Sequence, residues 1–372
     1  MNVLIVTDIL NGHNGTFKIM RNIAYGFSKN HNVRLLFFGK SNDYKNVLSL
    51  LDGLDYDIIS YQIIDKLELP FKILITKTHS NFNYDDIPSF FGQFFLTRHL
   101  NKTKFNPDLI IFSSYFASGS LIINRYHKNI VFLHEAPLFD DFRLIIKKIM
   151  QTYVKFIGHR AKFLSISENT TLKTNKKFEF NITTLPPIAF PELVEEYKKE
   201  KIILVDTRWT SDRQPEFILE IAYRIKRFKI IMHGVFTDQK LHSKLSDKIK
   251  SKVPNIEMIA NDSDEDLQNL YKKAIIVLRW SGKHETGNSL SIINAISYNC
   301  IPIVDQDLGI ASFVSNNISK DLVVKRDPEC FAKIIFKLSE DTRYYTKIQQ
   351  NVINCRKKFS WENYALELTK II

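Results

Sequence analysis

Short apolar runs alternate with amphipathic helical segments along nearly the whole chain. The run VLIVT from Val3 is followed by the helical pattern FKIMRNIAYGFSK and then by NVRLLFF from Asn32. Further apolar runs occur in DYDII, PDLIIF, NIVFL and AKFLS. Strands that alternate with helices form mostly parallel sheets covered by helices on both faces, so the pattern predicts an α/β fold.

The alternation is interrupted once, near residue 195, by the charged stretch PELVEEYKKEK, and restarts at KIILVDT from Lys201. A chain of 372 residues is too long for one ordinary hydrophobic core. We therefore predict two Rossmann-like, doubly wound domains, over residues 1–195 and 196–354, joined by this linker. In such folds the cleft between the two halves is the expected ligand site.

The composition limits the partners and the compartment. The net charge of +12 suits an anionic ligand, a nucleic acid or an anionic membrane surface. No DNA- or RNA-binding motif accompanies the charge, so no nucleic-acid partner is predicted. Cys300, Cys330 and Cys355 have no metal-ligand spacing and indicate core thiols in a reducing compartment. The amino terminus has no signal-peptide pattern and no apolar run is long enough to span a bilayer, which predicts a cytoplasmic protein.

Two arginines follow the first strand of the second half. The strand KIILVDT is followed directly by Arg208, and Arg213 comes five residues later, just before a helical pattern. Guanidinium groups beside a helix amino terminus are a good receptor for a diphosphate, because they carry fixed donors and permanent charge. Two solvated surface arginines are the alternative interpretation.

The segment HETGNSLSIINAISYNCIPIV adds a carboxylate at a second helix start. Asn288 or Ser289 can cap this helix, and backbone N–H groups from Thr286 through Gly287 to Ser289 can face an anion. Glu285 could accept hydrogen bonds from sugar hydroxyls. Alternatively, it is an acid that complements the helix dipole.

These motifs resemble those of GT-B-fold glycosyltransferases, in particular the retaining family 4 enzymes. Arg208 and Arg213 match the family's Arg and Lys after the first strand of its second domain, and Glu285 matches the first glutamate of its glutamate-x7-glutamate segment. Asn294 stands at the second glutamate, with a spacing one residue longer. Asn299 replaces the glycine that ends the helix, and asparagine tolerates the left-handed conformation required there.

The resemblance is close from Lys201 to Leu308 and looser elsewhere. It implies two Rossmann-like domains facing a cleft, with a closing helix over 355–372 that packs on the first domain. It further implies transfer of a sugar, with retention of configuration, from a UDP- or GDP-sugar to a hydroxyl of a glycan, lipid-linked or protein acceptor. No metal and no cofactor is implied. The open alternatives are a nucleotide-sugar epimerase or phosphorylase and a non-catalytic sugar-nucleotide or polyanion-binding protein.

The resemblance also assigns roles to individual residues. Glu285 would contact the donor sugar and Asn294 the ribose. The first-domain loop LNGHNGT, which contains Gly15, would face the donor phosphates. His134, at the end of the strand NIVFL, would donate to the sugar or to a nearby backbone carbonyl. A polar histidine at a strand end without a catalytic role is the alternative for His134.

The stretch from Arg143 to Lys177 is strongly basic, with Glu168 as its single acid. Its first part interleaves lysines with Leu, Ile, Val and Phe. This pattern is typical of a surface helix whose apolar side lies in the core. Alternatively, it indicates a helix on an anionic membrane, which would make the protein peripheral to the membrane. The aromatic segment SFFGQFFL could join that surface or lie in the core.

Overall fold

The computed structural model describes residues 1–7, 15–38, 50–51, 53–59, 92–123, 126, 128–134, 136–137, 139, 144–185, 198–236, 238–259, 264–282 and 289–371. The chain divides into two compact units. The first comprises Met1–Pro191 and Tyr364–Ile372, and the second comprises Glu192–Asn363. Most of the predicted linker PELVEEYKKEK lies outside the described residues.

The first unit contains a seven-stranded sheet in the order β3-β2-β1-β4-β5-β6-β7, in which every neighbouring pair is parallel. Its strands are β1 (Asn2–Thr7), β2 (Asn32–Phe38), β3 (Asp55–Ile59), β4 (Leu109–Phe112), β5 (Asn129–Leu133), β6 (Lys162–Ser165) and β7 (Ile182–Thr184). The first six lie on predicted apolar runs. The sequence ITT of β7 is too short to show a pattern, and this strand was not predicted.

Before the linker, the described part of the first unit contains the helices α1 (Gly15–Ser28), α2 (Leu96–Thr103), α3 (Leu144–Gly158) and α4 (Glu168–Phe178). Ser167 caps α4, because its Oγ accepts a hydrogen bond from the backbone N–H of Thr170 at 3.1 Å. Leu96, from the aromatic segment SFFGQFFL, is fully buried, and Phe95 packs against the same core. These two residues are therefore core residues, whereas residues 89–91 lie outside the described ranges.

The second unit contains a six-stranded parallel sheet in the order β10-β9-β8-β11-β12-β13. Its strands are β8 (Glu200–Asp206), β9 (Lys229–His233), β10 (Ile256–Ile259), β11 (Ala274–Arg279), β12 (Ile301–Asp305) and β13 (Val323–Val324). Its helices are α5 (Phe217–Arg224), α6 (Gln239–Lys252), α7 (Asp264–Lys273), α8 (Leu290–Ser297), α9 (Ala311–Asn317), α10 (Pro328–Glu340) and α11 (Thr342–Arg356). The predicted α/β fold with two doubly wound sheets is confirmed.

A final helix, α12 (Trp361–Ile371), ends the described chain. Its residues from Tyr364 onward belong to the first unit. There the Lys162 ammonium donates to the backbone carbonyl of Ile371 at 2.6 Å, and Leu368 is fully buried. The last turns of the chain are thus part of the first unit's core.

The strand order of each sheet reverses direction at one place. In the first unit this is between β1 and β4, and in the second it is between β8 and β11. The loops that leave the carboxyl ends of such neighbouring strands run to opposite faces of the sheet, which opens a crevice where ligands bind in this class of fold. In these two sheets that crevice is at the carboxyl ends of β1 and β4 and of β8 and β11.

Cys300 and Cys355 are buried, as predicted, but Cys330 is only half-buried, because it lies in the first turn of α10, where its thiol faces Asp327. Among the described helices, none is long and apolar enough to cross a bilayer.

Candidate functional site

The segment after β8 holds both predicted phosphate-binding arginines. Arg208 is exposed, and Arg213 ends a short 3₁₀ turn at Ser211–Arg213. The Arg213 guanidinium donates through Nη1 to the hydroxyl of Thr207, the residue directly before Arg208. Both cations therefore lie at the carboxyl end of β8, although Arg213 lies four residues before the first residue of α5 and not in its first turn.

Two tryptophans fix this segment. Trp209 is fully buried, its indole N–H donates to the His233 carbonyl at 3.0 Å, and its backbone N–H donates to the Val235 carbonyl at 2.7 Å. Trp280, directly after β11, donates through its indole N–H to the Arg213 carbonyl at 2.5 Å. Neither tryptophan was predicted to support the site, although each one directly follows an arginine at a strand end, in TRW and LRW.

Two glycines permit close backbone approach around the same segment. Gly234 has φ +126°, and a Cβ there would collide with the backbone carbonyl of Thr207. A Cβ at Gly282 would lie 2.7 Å from Oδ2 of Asp212 and 3.4 Å from Cγ of Arg213. A side chain at Gly234 would therefore displace the backbone directly before Arg208, whereas one at Gly282 would displace the Asp212 side chain.

A third arginine, which the sequence analysis missed, lies at the end of β11. Arg279 is only 3% exposed, and it donates through Nη1 to the Trp280 carbonyl at 2.7 Å and through Nε to the Ser289 hydroxyl at 3.3 Å. Ser289 is the residue before α8. A buried guanidinium therefore lies beside the positive end of a helix dipole, and both favour an anion at this position.

The start of α8 differs in detail from the prediction. Ser289 occupies the N-cap position, but its hydroxyl contacts Ser291 at 2.7 Å and Arg279 and makes no capping hydrogen bond. Of the two residues that could cap α8, Ser289 therefore does not, because Ser291 and Arg279 compete for its hydroxyl. Asn299 has φ +58°, which confirms the left-handed conformation predicted at the helix end. Glu285, Thr286, Gly287 and Asn288 lie outside the described residues.

Asn294 is buried on the inner side of α8, with 5% of its surface exposed. Its side chain faces the hydroxyl of Tyr271, and that hydroxyl donates to Oδ2 of Asp206 at 2.7 Å. Burial, together with the Asp206 charge, raises the pKa of Tyr271, so the hydroxyl stays protonated. Oδ1 of Asp206 lies 2.9 Å from Nδ1 of His233. This network joins the ends of β8 and β9 to α7 and α8.

A buried carboxylate ends β12. Asp305 is fully buried, and its Oδ2 accepts hydrogen bonds from the backbone N–H of Ser281 at 3.0 Å and from the Ser281 hydroxyl at 2.9 Å. Arg326 donates through Nη1 to the Ser281 carbonyl at 2.9 Å. Burial raises the pKa of Asp305, and the Ser281 bonds and the Arg326 charge offset part of that effect. These contacts fix the loop that contains Gly282.

In the first unit, His134 directly follows β5 and Ser113 directly follows β4. Nε2 of His134 lies 2.8 Å from the Ser113 carbonyl. A carbonyl only accepts hydrogen bonds, so Nε2 carries the proton and Nδ1 is the acceptor nitrogen of neutral His134. Burial lowers the pKa of His134 to about 4, and the Ser113 bond offsets part of this effect. Gly15 is the first residue of α1, and a Cβ there would meet no atom within 4 Å.

The chain is similar to known glycosyltransferases. Residues 190–354 match the family model described as glycosyl transferases group 1. Among solved structures, HepE of Anabaena in complex with UDP-glucose is 12% identical with a TM-score of 0.71, and the match covers 100% of this chain and 99% of that one. TarM of S. aureus, in complex with UDP and other ligands, is 12% identical with a TM-score of 0.70 and 99% coverage of both chains. A glycosyltransferase from Rickettsia africae is 16% identical with a TM-score of 0.66, with coverage of 100% and 97%. No curated protein sequence gives a significant match.

Proposed function

We propose that this chain, which has the GT-B fold and whose second unit matches the group 1 glycosyltransferases, transfers a sugar from a nucleotide diphosphate sugar to a hydroxyl acceptor with retention of configuration. The observation that carries the proposal is the arginine pair at the end of β8, inside the matched region. Two permanent cations at the carboxyl edge of a parallel sheet suit a diphosphate leaving group.

The proposed chemistry is electrostatic. When the bond between the anomeric carbon and the diphosphate breaks, negative charge develops on the phosphate oxygens, and Arg208 and Arg213 would stabilise it. Arg279 and the start of α8 would add positive potential. The acceptor hydroxyl would attack on the face that the diphosphate leaves and pass its proton to a leaving-group oxygen. With this much positive charge from the chain itself, we propose that transfer requires no divalent metal.

The sugar and the nucleotide would be held by polar groups. We propose that Glu285 accepts hydrogen bonds from the donor sugar, and that Nδ1 of His134 accepts one from a sugar hydroxyl while Nε2–H stays on Ser113. Asn294 would contact the ribose through the donors and acceptor of its side chain that do not face Tyr271. The backbone of Gly15 would approach the donor phosphates.

The other proposed donor contacts are the residues before α8, namely Thr286, Gly287, Asn288 and Ser289. The UDP complexes of HepE and TarM support a UDP-sugar, with a GDP-sugar as the alternative. We propose a glycan, lipid-linked or protein acceptor, and a protein that works in the cytoplasm at or near a membrane surface.

The test is to measure transfer with Arg208→Ala and Arg213→Ala, using Arg227→Ala as the matched control. Arg227 is an exposed arginine in a turn of the same unit. A charge-assisted hydrogen bond contributes roughly 1.5 to 3 kcal/mol, so each site variant should lose at least about tenfold in kcat/KM. The control should keep wild-type activity. Wild-type activity in both site variants would refute the phosphate assignment.

Mass spectrometry of donor mixtures with candidate acceptors identifies the reaction. A glycosylated acceptor supports transfer, and an epimerised donor or a sugar phosphate would identify an epimerase or phosphorylase instead. Tight donor binding without any product would identify a non-catalytic binding protein. Loss of transfer in excess EDTA that Mn²⁺ or Mg²⁺ restores would refute metal independence.

A further inference from the structure

We propose that the outward side of α3, together with the adjoining turn at Ile122 and Ile123, is a surface that binds anionic lipid bilayers. This inference does not depend on sugar transfer. It adds a partner to the proposed function, because an enzyme bound to a bilayer would reach lipid-linked acceptors in two dimensions.

The first observation is the exposure of large apolar side chains on α3. Leu144 is 67% exposed, Ile145 74%, Ile149 61% and Phe156 38%. Such side chains on a surface helix are ordinarily buried, and several on one helix indicate an interaction surface. One side of α3 faces the core, because Tyr153, Val154 and Ile157 are buried. The exposed residues therefore form a second apolar side of the helix.

The second observation is that these residues follow helical spacing. Ile145, Ile149 and Phe156 stand at positions i, i+4 and i+11, which lie in one stripe along a helix. Lys148 and Lys155 are exposed on the same side of the helix. An apolar stripe beside lysines is the arrangement of helices that lie in the plane of a membrane interface. The lysine stems can cover apolar surface while their ammonium groups reach the phosphates.

The third observation extends the surface to a second element. Arg160 donates through Nη1 to the carbonyls of Leu121 at 2.6 Å and Ile122 at 3.0 Å, and its guanidinium lies 4.2 Å from the Phe156 ring centroid. The end of α3 is thereby joined to the turn where Ile122 is 37% and Ile123 63% exposed. The apolar surface therefore continues beyond one helix.

Charge decides between a bilayer and a second copy of the chain. Between Asp141 and Glu168 the sequence contains no acidic residue, and the whole chain carries a net charge of +12. A two-fold contact between two copies would bring the same lysines together and would be repulsive. An anionic bilayer offers both phosphate charge for the lysines and a hydrocarbon boundary for the apolar stripe.

The experiment is co-sedimentation of the full chain with two kinds of vesicle. One is phosphatidylcholine alone, and in the other about a third of the lipid is anionic phosphatidylglycerol. We compare wild type, Ile145→Gln/Ile149→Gln and Lys148→Gln/Lys155→Gln. Tyr223→Gln is the control, because Tyr223 is 63% exposed on α5 in the other unit. All of these side chains are exposed, so thermal melts should show four folded proteins of similar stability.

Wild type and Tyr223→Gln should bind the anionic vesicles and bind phosphatidylcholine at least tenfold more weakly. The isoleucine variant should lose at least tenfold in affinity for the anionic vesicles. The lysine variant should lose roughly fivefold in affinity for each lysine, and salt should weaken wild-type binding.

Three results would overturn the proposal. In the first, wild type does not bind anionic vesicles, and in the second, both double variants bind them like wild type. In the third, size-exclusion chromatography shows a dimer that the isoleucine variant abolishes without any change in vesicle binding. Because no donor or acceptor is present, failure here leaves the sugar-transfer proposal untouched, and failure of sugar transfer leaves this test intact.

Discussion

Because of its position at the end of β5, His134 should stay neutral at mildly acidic pH. The perturbation is a fall in pH from 7.5 to 5.0, applied to wild type and to His134→Gln. Burial lowers the pKa of His134 to about 4, against about 6.5 for an unperturbed histidine. At pH 5.0, about a tenth of His134 should be protonated in the folded protein, compared with about 97% of a free histidine. A glutamine amide can still donate to the Ser113 carbonyl.

The stability consequence follows from linkage. The folded pKa of His134 lies below the unfolded value, so its contribution is fully present above about pH 6.5 and is lost as the pH falls towards 4. Between pH 7.5 and 5.0 the loss is about 2 kcal/mol for a shift of this size. Glutamine does not titrate, so His134→Gln should lose about 2 kcal/mol less than wild type. For a unit of this size, that corresponds to a difference of roughly 4 to 8 °C in melting temperature.

Two measurements check this prediction. NMR of protein labelled at histidine ring carbons identifies the His134 resonance as the one that is absent in His134→Gln, and its position should stay nearly constant from pH 7.5 to 5.0. Thermal melts of both proteins at both pH values give the stability difference, in which the other histidines cancel. A His134 midpoint near pH 6.5, or equal losses of stability in the two proteins, would refute the assignment of a buried neutral imidazole.

Three further predictions concern the second unit. Gly234→Ala should destabilise it by at least about 2 kcal/mol in a thermal melt, because the backbone there has φ +126° and a Cβ would collide with the Thr207 carbonyl at the end of β8. Gly15→Ala is the control and should cause no such destabilisation, because a Cβ at Gly15 meets no atom within 4 Å. Lys199→Met should lower the free energy of unfolding in urea by about 1 to 3 kcal/mol, because the Lys199 ammonium donates to two backbone carbonyls at 2.9 and 2.6 Å. Lys198 is exposed, so Lys198→Met should leave the unfolding midpoint unchanged. Glu285→Gln should weaken nucleotide-sugar binding about tenfold in calorimetry but leave the bare nucleoside diphosphate unaffected, and equal weakening of both ligands would remove Glu285 from the sugar site.

The fold followed from local pattern wherever that pattern was long enough. The apolar runs ending at Thr7, Phe112 and Asp206 became central strands, because a strand covered on both faces needs an uninterrupted apolar stretch. β7 and β13 escaped prediction because three and two residues cannot establish a period. Such short strands form because they pair with a neighbouring strand, and a short stretch of sequence does not show that pairing.

Two of the three arginines at the candidate site could be located from the sequence, but the contacts that support them could not. Arg208 and Arg213 could be located because they follow a recognisable strand end. Arg279 also follows one, but its burial depends on the Trp280 carbonyl and the Ser289 hydroxyl, which are tertiary partners. Ser289, one of the two predicted candidates for the cap of α8, makes no capping hydrogen bond for the same reason. A hydroxyl at a helix start favours a cap only when no other side chain competes for it.

The arrangement around Arg213 has a consequence for binding. Its guanidinium contacts the Thr207 hydroxyl, its carbonyl accepts from Trp280, and its side chain lies against Gly282. A free arginine loses up to about 2 kcal/mol of rotamer entropy when it is immobilised, and here part of that loss has already occurred without any ligand. Donors that are oriented before the reaction also need no reorganisation when charge develops on the leaving group. If Arg213 binds the donor phosphates as we propose, substitution of Trp280 should therefore weaken that binding, although Trp280 itself need not touch the ligand.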